Sequence, residues 1–201
     1  MGLISNGTTI FDAGAMAAGG SMVFIKKITA SGDTYAAFID GTSDVVFDDT
    51  YKEYLITVNN WNPATDDRNL EVSFTINRSN YGNAKTSTYF TATHGEDDSG
   101  DAIAYQTGGD LADSTGNQIL ALGVGSGADE SCSGLLRVFN PASTTFVKHF
   151  IGEFNTYAAG DIAQQSFVAG YINVTGAVYG LKFEGESGSA FDGVFCLYGI
   201  R

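Results

Sequence analysis

The chain is expected to fold as an all-β domain, a two-sheet antiparallel sandwich led by an extended N-terminal arm. Three observations predict this. Apolar residues recur at every second position in several short runs, most cleanly at Leu70, Val72, Phe74 and Ile76, with Glu71, Ser73, Thr75 and Asn77 between them. A period of two belongs to a strand with one buried face, and no segment shows the 3.6-residue period of a helix. Glycine stands at 26 against 2 prolines, which suits short strands and tight turns. Finally, 201 residues with 14 Phe and 10 Tyr supply enough bulk for one real core.

Taken in order, residues 1–20 are rich in small residues, with scattered apolar positions and no period. Such a segment does not fold alone, so an arm (1–20) is expected ahead of a sandwich domain (21–201). Residues 22–29 and 35–39 read as the first strand pair, turned at Ser31-Gly32-Asp33. Asp48-Asp49 leads into residues 51–58, where Tyr54, Ile56 and Val58 share a face. Residues 70–77 follow, and residues 85–93 carry β-formers on both faces. Residues 96–113 are acidic and Gly-rich, an exposed loop with a short element at 103–105. Residues 118–124, 167–174, 178–183 and 194–200 are further strands. This spacing, with turn signals between, fits a sandwich of jelly-roll type.

The centre is expected at residues 135–154, two apolar segments around Asn140-Pro141-Ala142-Ser143, where Asn-Pro starts a turn. In the second segment Phe146, Phe150 and Phe154, with Lys148 and Gly152 between them, share a face; the three phenylalanines are expected to be buried, while Val147 and Ile151 point the other way. The order aromatic–Asn–Pro–Ala–hydroxyl occurs twice, at Trp61–Thr65 and at Phe139–Ser143. Convergent turn chemistry explains the echo, with both turns expected at one end of the sandwich.

The balance of 10 basic and 23 acidic residues leaves −13. No cationic field is available to displace counterions, which argues against nucleic acid and against anionic membranes. No apolar run is long enough to span a bilayer, and the start lacks the pattern of a signal peptide. Cys132 and Cys196 are read as free thiols rather than a disulfide framework.

Candidate chemistry is sparse. Gly123-Val124-Gly125-Ser126-Gly127-Ala128 has the letters of a dinucleotide fingerprint, but Asp129-Glu130 follows where a helix is needed, so it is read as a loop. His94 and His149 lack metal spacing, and nothing marks a nucleophile. His149 is expected opposite the Phe stripe, packed or half-exposed, and His94 beside the carboxylates that follow it. Glu96, Asp97, Asp98, Asp101, Asp110 and Asp113 are hard oxygen donors suited to calcium, but without the alternating order of a calcium loop they read as a solvated acidic face. Trp61, flanked by Asn60 and Asn62, is a candidate sugar-stacking site or a cap on the sandwich end. No cofactor is expected, and no catalytic or metal-ligating residue is assigned.

Several stretches together resemble a group of virion proteins of tailed bacteriophages, notably phages of marine bacteria and cyanobacteria. They are Asn6-Gly7-Thr8-Thr9-Ile10-Phe11-Asp12-Ala13-Gly14, Asp49-Thr50-Tyr51-Lys52-Glu53-Tyr54, residues 139–150, Phe167-Val168-Ala169-Gly170-Tyr171 and the terminal Gly193-Val194-Phe195-Cys196-Leu197-Tyr198-Gly199-Ile200. The resemblance spans nearly the whole chain and carries no catalytic positions. It implies a non-enzymatic structural protein on the virion, assembled in the host cytoplasm, with a jelly-roll-like body and a homotrimeric state. On this expectation the arm docks onto a capsid or tail protein through Leu3, Ile4, Ile10, Phe11 and Met16, adding a strand to a sheet edge. Capsid decoration is the first expectation. The alternatives are a tail-fibre or receptor-binding module contacting host glycan through Trp61, Asn60 and Asn62, and a surface depolymerase using paired acids.

Overall fold

The computed structural model describes residues 21–201 and, as backbone alone, residues 3–5, 8–12 and 15–16. Strands β1 (Leu3–Ser5), β2 (Thr8–Asp12) and β3 (Ala15–Met16) pair antiparallel in a sheet separate from the rest. The expected docking side chains of Leu3, Ile4, Ile10, Phe11 and Met16 lie outside the described residues.

The body is all-β, and among the described residues its only helical turn is a 3₁₀ turn at Glu186–Gly188. Its strands are β4 (Met22–Asp33), β5 (Tyr35–Ile39), β6 (Glu53–Pro63), β7 (Arg68–Thr75), β8 (Lys85–Gly95), β9 (Ala102–Tyr105), β10 (Gln118–Val124), β11 (Cys132–Phe139), β12 (Lys148–Ala158), β13 (Ile162–Ile172), β14 (Gly180–Gly185) and β15 (Phe191–Ile200). Hydrogen bonds join all 12 into one antiparallel sheet whose main path runs β4-β15-β6-β11-β12-β10-β7-β14-β5. Its ends, β4 and β5, are joined in sequence by Thr34 alone and touch, so the sheet nearly closes into a barrel.

The pairings are nested. β7 pairs β10, β6 pairs β11, β5 pairs β14 and β4 pairs β15, as in one long hairpin folded back on itself. Two pieces interrupt this ribbon, β8–β9 and β12–β13. They combine into an extension, because β12 pairs β11 along its length and then carries β13, β8 and β9 outward in that order. β10 pairs β12 at Val124–Ala158, with flanking backbone bonds from Gly125 to Tyr157 and from Ala159 to Gly123.

The core fills the space inside the bend. Phe74 of β7 stacks on Phe150 of β12 with ring centroids 5.5 Å apart, and Phe183 of β14 meets Phe195 of β15 at 5.2 Å. Each fully buried Phe contributes about 1.5–3 kcal/mol of apolar burial. Leu70, Val72 and Phe74 point inward as their period predicts. Ser73 and Thr75 on the opposite side are nevertheless buried too. Residues 76–83 return along that side: the Thr75 hydroxyl donates to Asn77 Oδ1, and the Tyr81 ring lies against Lys182, the cross-strand neighbour of Ser73. A period-two strand therefore stands here with both faces covered.

Two other expectations are corrected. Phe150 and Phe154 are buried, but Phe146 is 69% exposed, because β12 begins only at Lys148 and Phe146 belongs to the turn before it. The two Asn-Pro turns lie at opposite ends. β6 and β11 are antiparallel, with Trp61 opposite Cys132 and Glu53 opposite Phe139, so their C-termini point in opposite directions.

Candidate interaction face

The extension β12-β13-β8-β9 presents an outer surface whose composition follows from strand alternation. In β12 the inward set is Lys148, Phe150, Gly152, Phe154 and Thr156, which leaves His149, Ile151, Glu153 and Asn155 facing solvent. In β13 the outward set includes Gln165, Phe167, Ala169 and Tyr171, and in β8 it includes Thr86, Thr88, Phe90 and Ala92. Register aligns these into rows: Ile151–Ala169–Thr88, then Glu153–Phe167–Phe90–Tyr105, then Asn155–Gln165–Ala92–Ile103. Phe90 and Phe167 stack at 4.8 Å between centroids with an interplanar angle of 15°.

The apolar members stand well out of the surface. Ile103 is 82% exposed, Tyr105 54%, Ile151 43% and Phe90 40%. Large apolar groups gathered on one face, rather than scattered, mark a surface that another body covers. Beside the Phe pair lies a depression of about 450 Å³, walled by Thr86, Thr88, His149, Ile151 and Tyr171. Its floor is the methyl of Ala169 and the backbone at Gly170, whose missing side chain leaves room on the core side for Phe150 and Ser87. Among the described residues β9 pairs β8 alone, which leaves its other side a sheet edge, and exposed edges invite further pairing. The arrangement is suited to apolar contact, with His149 and Tyr171 meeting edge-on at 6.1 Å.

Sequence reading did not single out Phe90, Ile103, Tyr105 or Phe167. The available signals were the β-formers on both faces of residues 85–93 and the placement of Ile151 opposite the Phe stripe.

The residues that were singled out fare differently. Trp61 is fully buried, with its ring 5.6 Å from that of Phe191, so it offers no face to a sugar. Asn60 is exposed at a left-handed position, φ 50°, and its amide donates to the Ser133 hydroxyl. Asn62 spends its side-chain amide on the carbonyls of Gly127 and Glu130. The three do not form one exposed surface, and the expected glycan contact through the Trp61 ring is withdrawn. Of the Gly123–Ala128 segment, Gly123 and Val124 end β10 and Gly125–Ala128 form a loop held by the Glu130 carboxylate, which accepts from the Gly127 amide.

In the acidic loop, His94 Nδ1 lies 2.5 Å from Asp101 and the Asp97 carboxylate accepts from Ser99. That hydroxyl holds the Asp97 carboxyl below its ordinary range. Among the described residues no group of three or more His, Cys, Asp or Glu side chains is placed to hold a metal. Cys132 is buried, and burial pushes its thiol up; Cys196 is half-buried on β15, and both are free.

Two inward positions carry charge. Lys148 and Lys85 flank Ile172 in one row of β12, β13 and β8, and both are fully buried. Lys148 Nζ donates to the carbonyls of Ser143, Phe146 and Val174 at 2.9–3.1 Å, tying the turn before β12 to the segment after β13. Lys85 Nζ donates to the Asn83 carbonyl at 2.8 Å. Burial lowers the pKa of both, that of Lys85 to about 8.

Among the described residues, no helix is long and apolar enough to cross a membrane. In comparison with known proteins, no family model, no characterised protein sequence and no solved structure matches this chain.

Proposed function

We propose that this chain is a non-enzymatic structural protein displayed on the surface of a tailed-phage particle, where it decorates the capsid. The observation that carries the reading is the nested strand pairing. Strands β4, β15, β6 and β11 form one group and β5, β14, β7 and β10 the other. A long hairpin wrapped in this way has the connectivity of a jelly roll, an architecture that recurs in viral capsid and lectin domains. β8–β9 and β12–β13 are then insertions that build the exposed apolar face. The sequence resemblance to virion proteins supports the same placement, and so does the −13 charge, which favours solubility at high copy number. On this reading residues 1–20 attach the protein to its neighbour on the particle.

The glycan-binding alternative loses its main support with Trp61 enclosed in the core. Quantitative mass spectrometry of purified particles tests the proposal. Capsid decoration requires on the order of a hundred copies or more per particle, as closed capsid symmetry repeats each site. A handful of copies would move the protein to the tail, and its absence from particles would overturn the reading.

A further inference from the structure

We infer that the outer face of β12-β13-β8-β9 is a self-association surface on which a second copy of this chain docks about a two-fold axis. The inference rests on the geometry of this face and not on the particle reading, and each can fail without the other.

Charge is the first argument for a second copy. A molecule at −13 repels its own kind, and a surface nearly free of carboxylates is where two copies meet with the least repulsion. On the three aligned rows Glu153 is the one carboxylate, on β12 where the face borders the rest of the sheet, and Asp110 stands at the opposite rim, accepting from the Tyr105 hydroxyl.

Shape is the second. The projecting group, Ile103, and the depression around Ala169 lie on the same face. Between the Ile103 row and the Ala169 row are four residues along the strand, and between β9 and β13 are two strand spacings. That separates them by roughly 15–20 Å at about 3.3 Å per residue and 4.8 Å per strand. The Phe90–Phe167 stack lies between. A two-fold axis passing over the stack sets each Ile103 above the other copy's depression and lays stack on stack. A knob and its hole on one face suit an isologous pair, whereas a ring needs them on different faces.

Size is the third. Three strands of 11 residues and a fourth at the edge span roughly 36 Å by 19 Å. With β9 only four residues long, the planar extent is about 580 Å², and side-chain relief brings it toward the roughly 800 Å² per partner that a stable interface buries.

Sedimentation equilibrium of the full-length chain tests the inference. Wild type is expected at twice the 21.1 kDa chain mass, with association strengthening as salt screens the net charge. Ile103→Glu and Phe90→Lys, both at exposed positions, are each expected to weaken it by about 30-fold or more. Met22→Glu, at the opposite end of the sheet path on β4, is expected to leave it unchanged. A monomeric wild type at about 100 µM, well above the Kd such an interface gives, would overturn the inference. So would a mass of three chains, or an association that responds to Met22→Glu and not to Ile103→Glu and Phe90→Lys. Circular dichroism of each variant separates lost association from lost fold.

Discussion

Lys85 offers a test of how the fold tolerates a charge it does not pair. Its side chain is fully buried at the start of β8, and among the described residues no carboxylate forms a salt bridge with it. One hydrogen bond, to the Asn83 carbonyl, is its partner there. Burial lowers its pKa from 10.5 to about 8. Between those values the unfolded chain binds the proton more tightly than the folded one, so stability rises with pH across that window. Below pH 8 the ammonium is present in both states, and the full burial penalty stands. At about 1.4 kcal/mol per tenfold change in proton affinity, that penalty is roughly 3 kcal/mol.

Lys85→Met keeps the length of the side chain and removes the charge. It also removes the bond to Asn83, which is worth about 1 kcal/mol. The variant is therefore expected to be more stable than wild type at pH 7 by roughly 2 kcal/mol. The advantage should fade between pH 8 and 10.5 and reach zero or a slight loss above that. Urea denaturation followed by the fluorescence of Trp61, the single tryptophan and a buried one, reads this directly. A slope of about 2 kcal/mol per molar urea places the pH 7 midpoint roughly 1 M higher. The reasoning is refuted if the variant gains nothing at pH 7, or gains equally at pH 7 and pH 10.5.

The other predictions use the same assay. Lys148→Met should have the opposite sign, losing about 2–4 kcal/mol at pH 7, because it leaves three carbonyls without their donor; a gain like that of Lys85→Met would refute the staple. Phe146→Ser should leave stability within about 0.5 kcal/mol, while Phe150→Ala, which empties a site against Phe74, should cost about 3–5 kcal/mol. Equal effects at the two positions would mean that the turn is packed in solution. Glu71 lies opposite Glu184 on β14, and burial first, then Glu186 and Glu184, raises its pKa against the pull of Asn117. A raised carboxyl stabilises while protonated and loses that contribution as pH climbs through its folded pKa. Glu71→Gln should therefore gain stability at pH 7 and not at pH 3; the same change at both pH values would refute the shift.

Much of the strand inventory could be read because a period of two needs only one buried face to be visible. Residues 70–77 announced themselves in this way. The period carries no information about a neighbour that arrives later in the chain. Ser73 and Thr75 read as solvent-facing, and they are buried on a side along which Asn77 and Tyr81 return, Asn77 against Thr75 and Tyr81 against Lys182 beside Ser73. Lys148 was placed on the Phe side of its strand by the same alternation that placed Phe150. What alternation could not convey was that three backbone carbonyls would gather there to make a charge tolerable.

The candidate face was hidden for a related reason. Phe90 and Phe167 are 77 residues apart, and each looks like an ordinary half-buried strand residue in its own segment. Register brings them to one row, and β9 then adds Ile103 and Tyr105 at the edge. In the nested ribbon every strand of the first half finds a partner from the second, so its outer surface is spread over both halves of the chain. The extension differs, because β12, β13, β8 and β9 together add a sheet area that the closed part of the fold does not require. Burying Phe90, Phe167, Ile103 and Ile151 inside the same molecule would take a further layer that the described residues do not supply. Aromatic and β-branched side chains held outward on a flat extension raise the cost of hydration and of edge pairing with strangers. A sequence that keeps them there, and keeps all but one carboxylate off the same rows, specifies a contact rather than a solvent face.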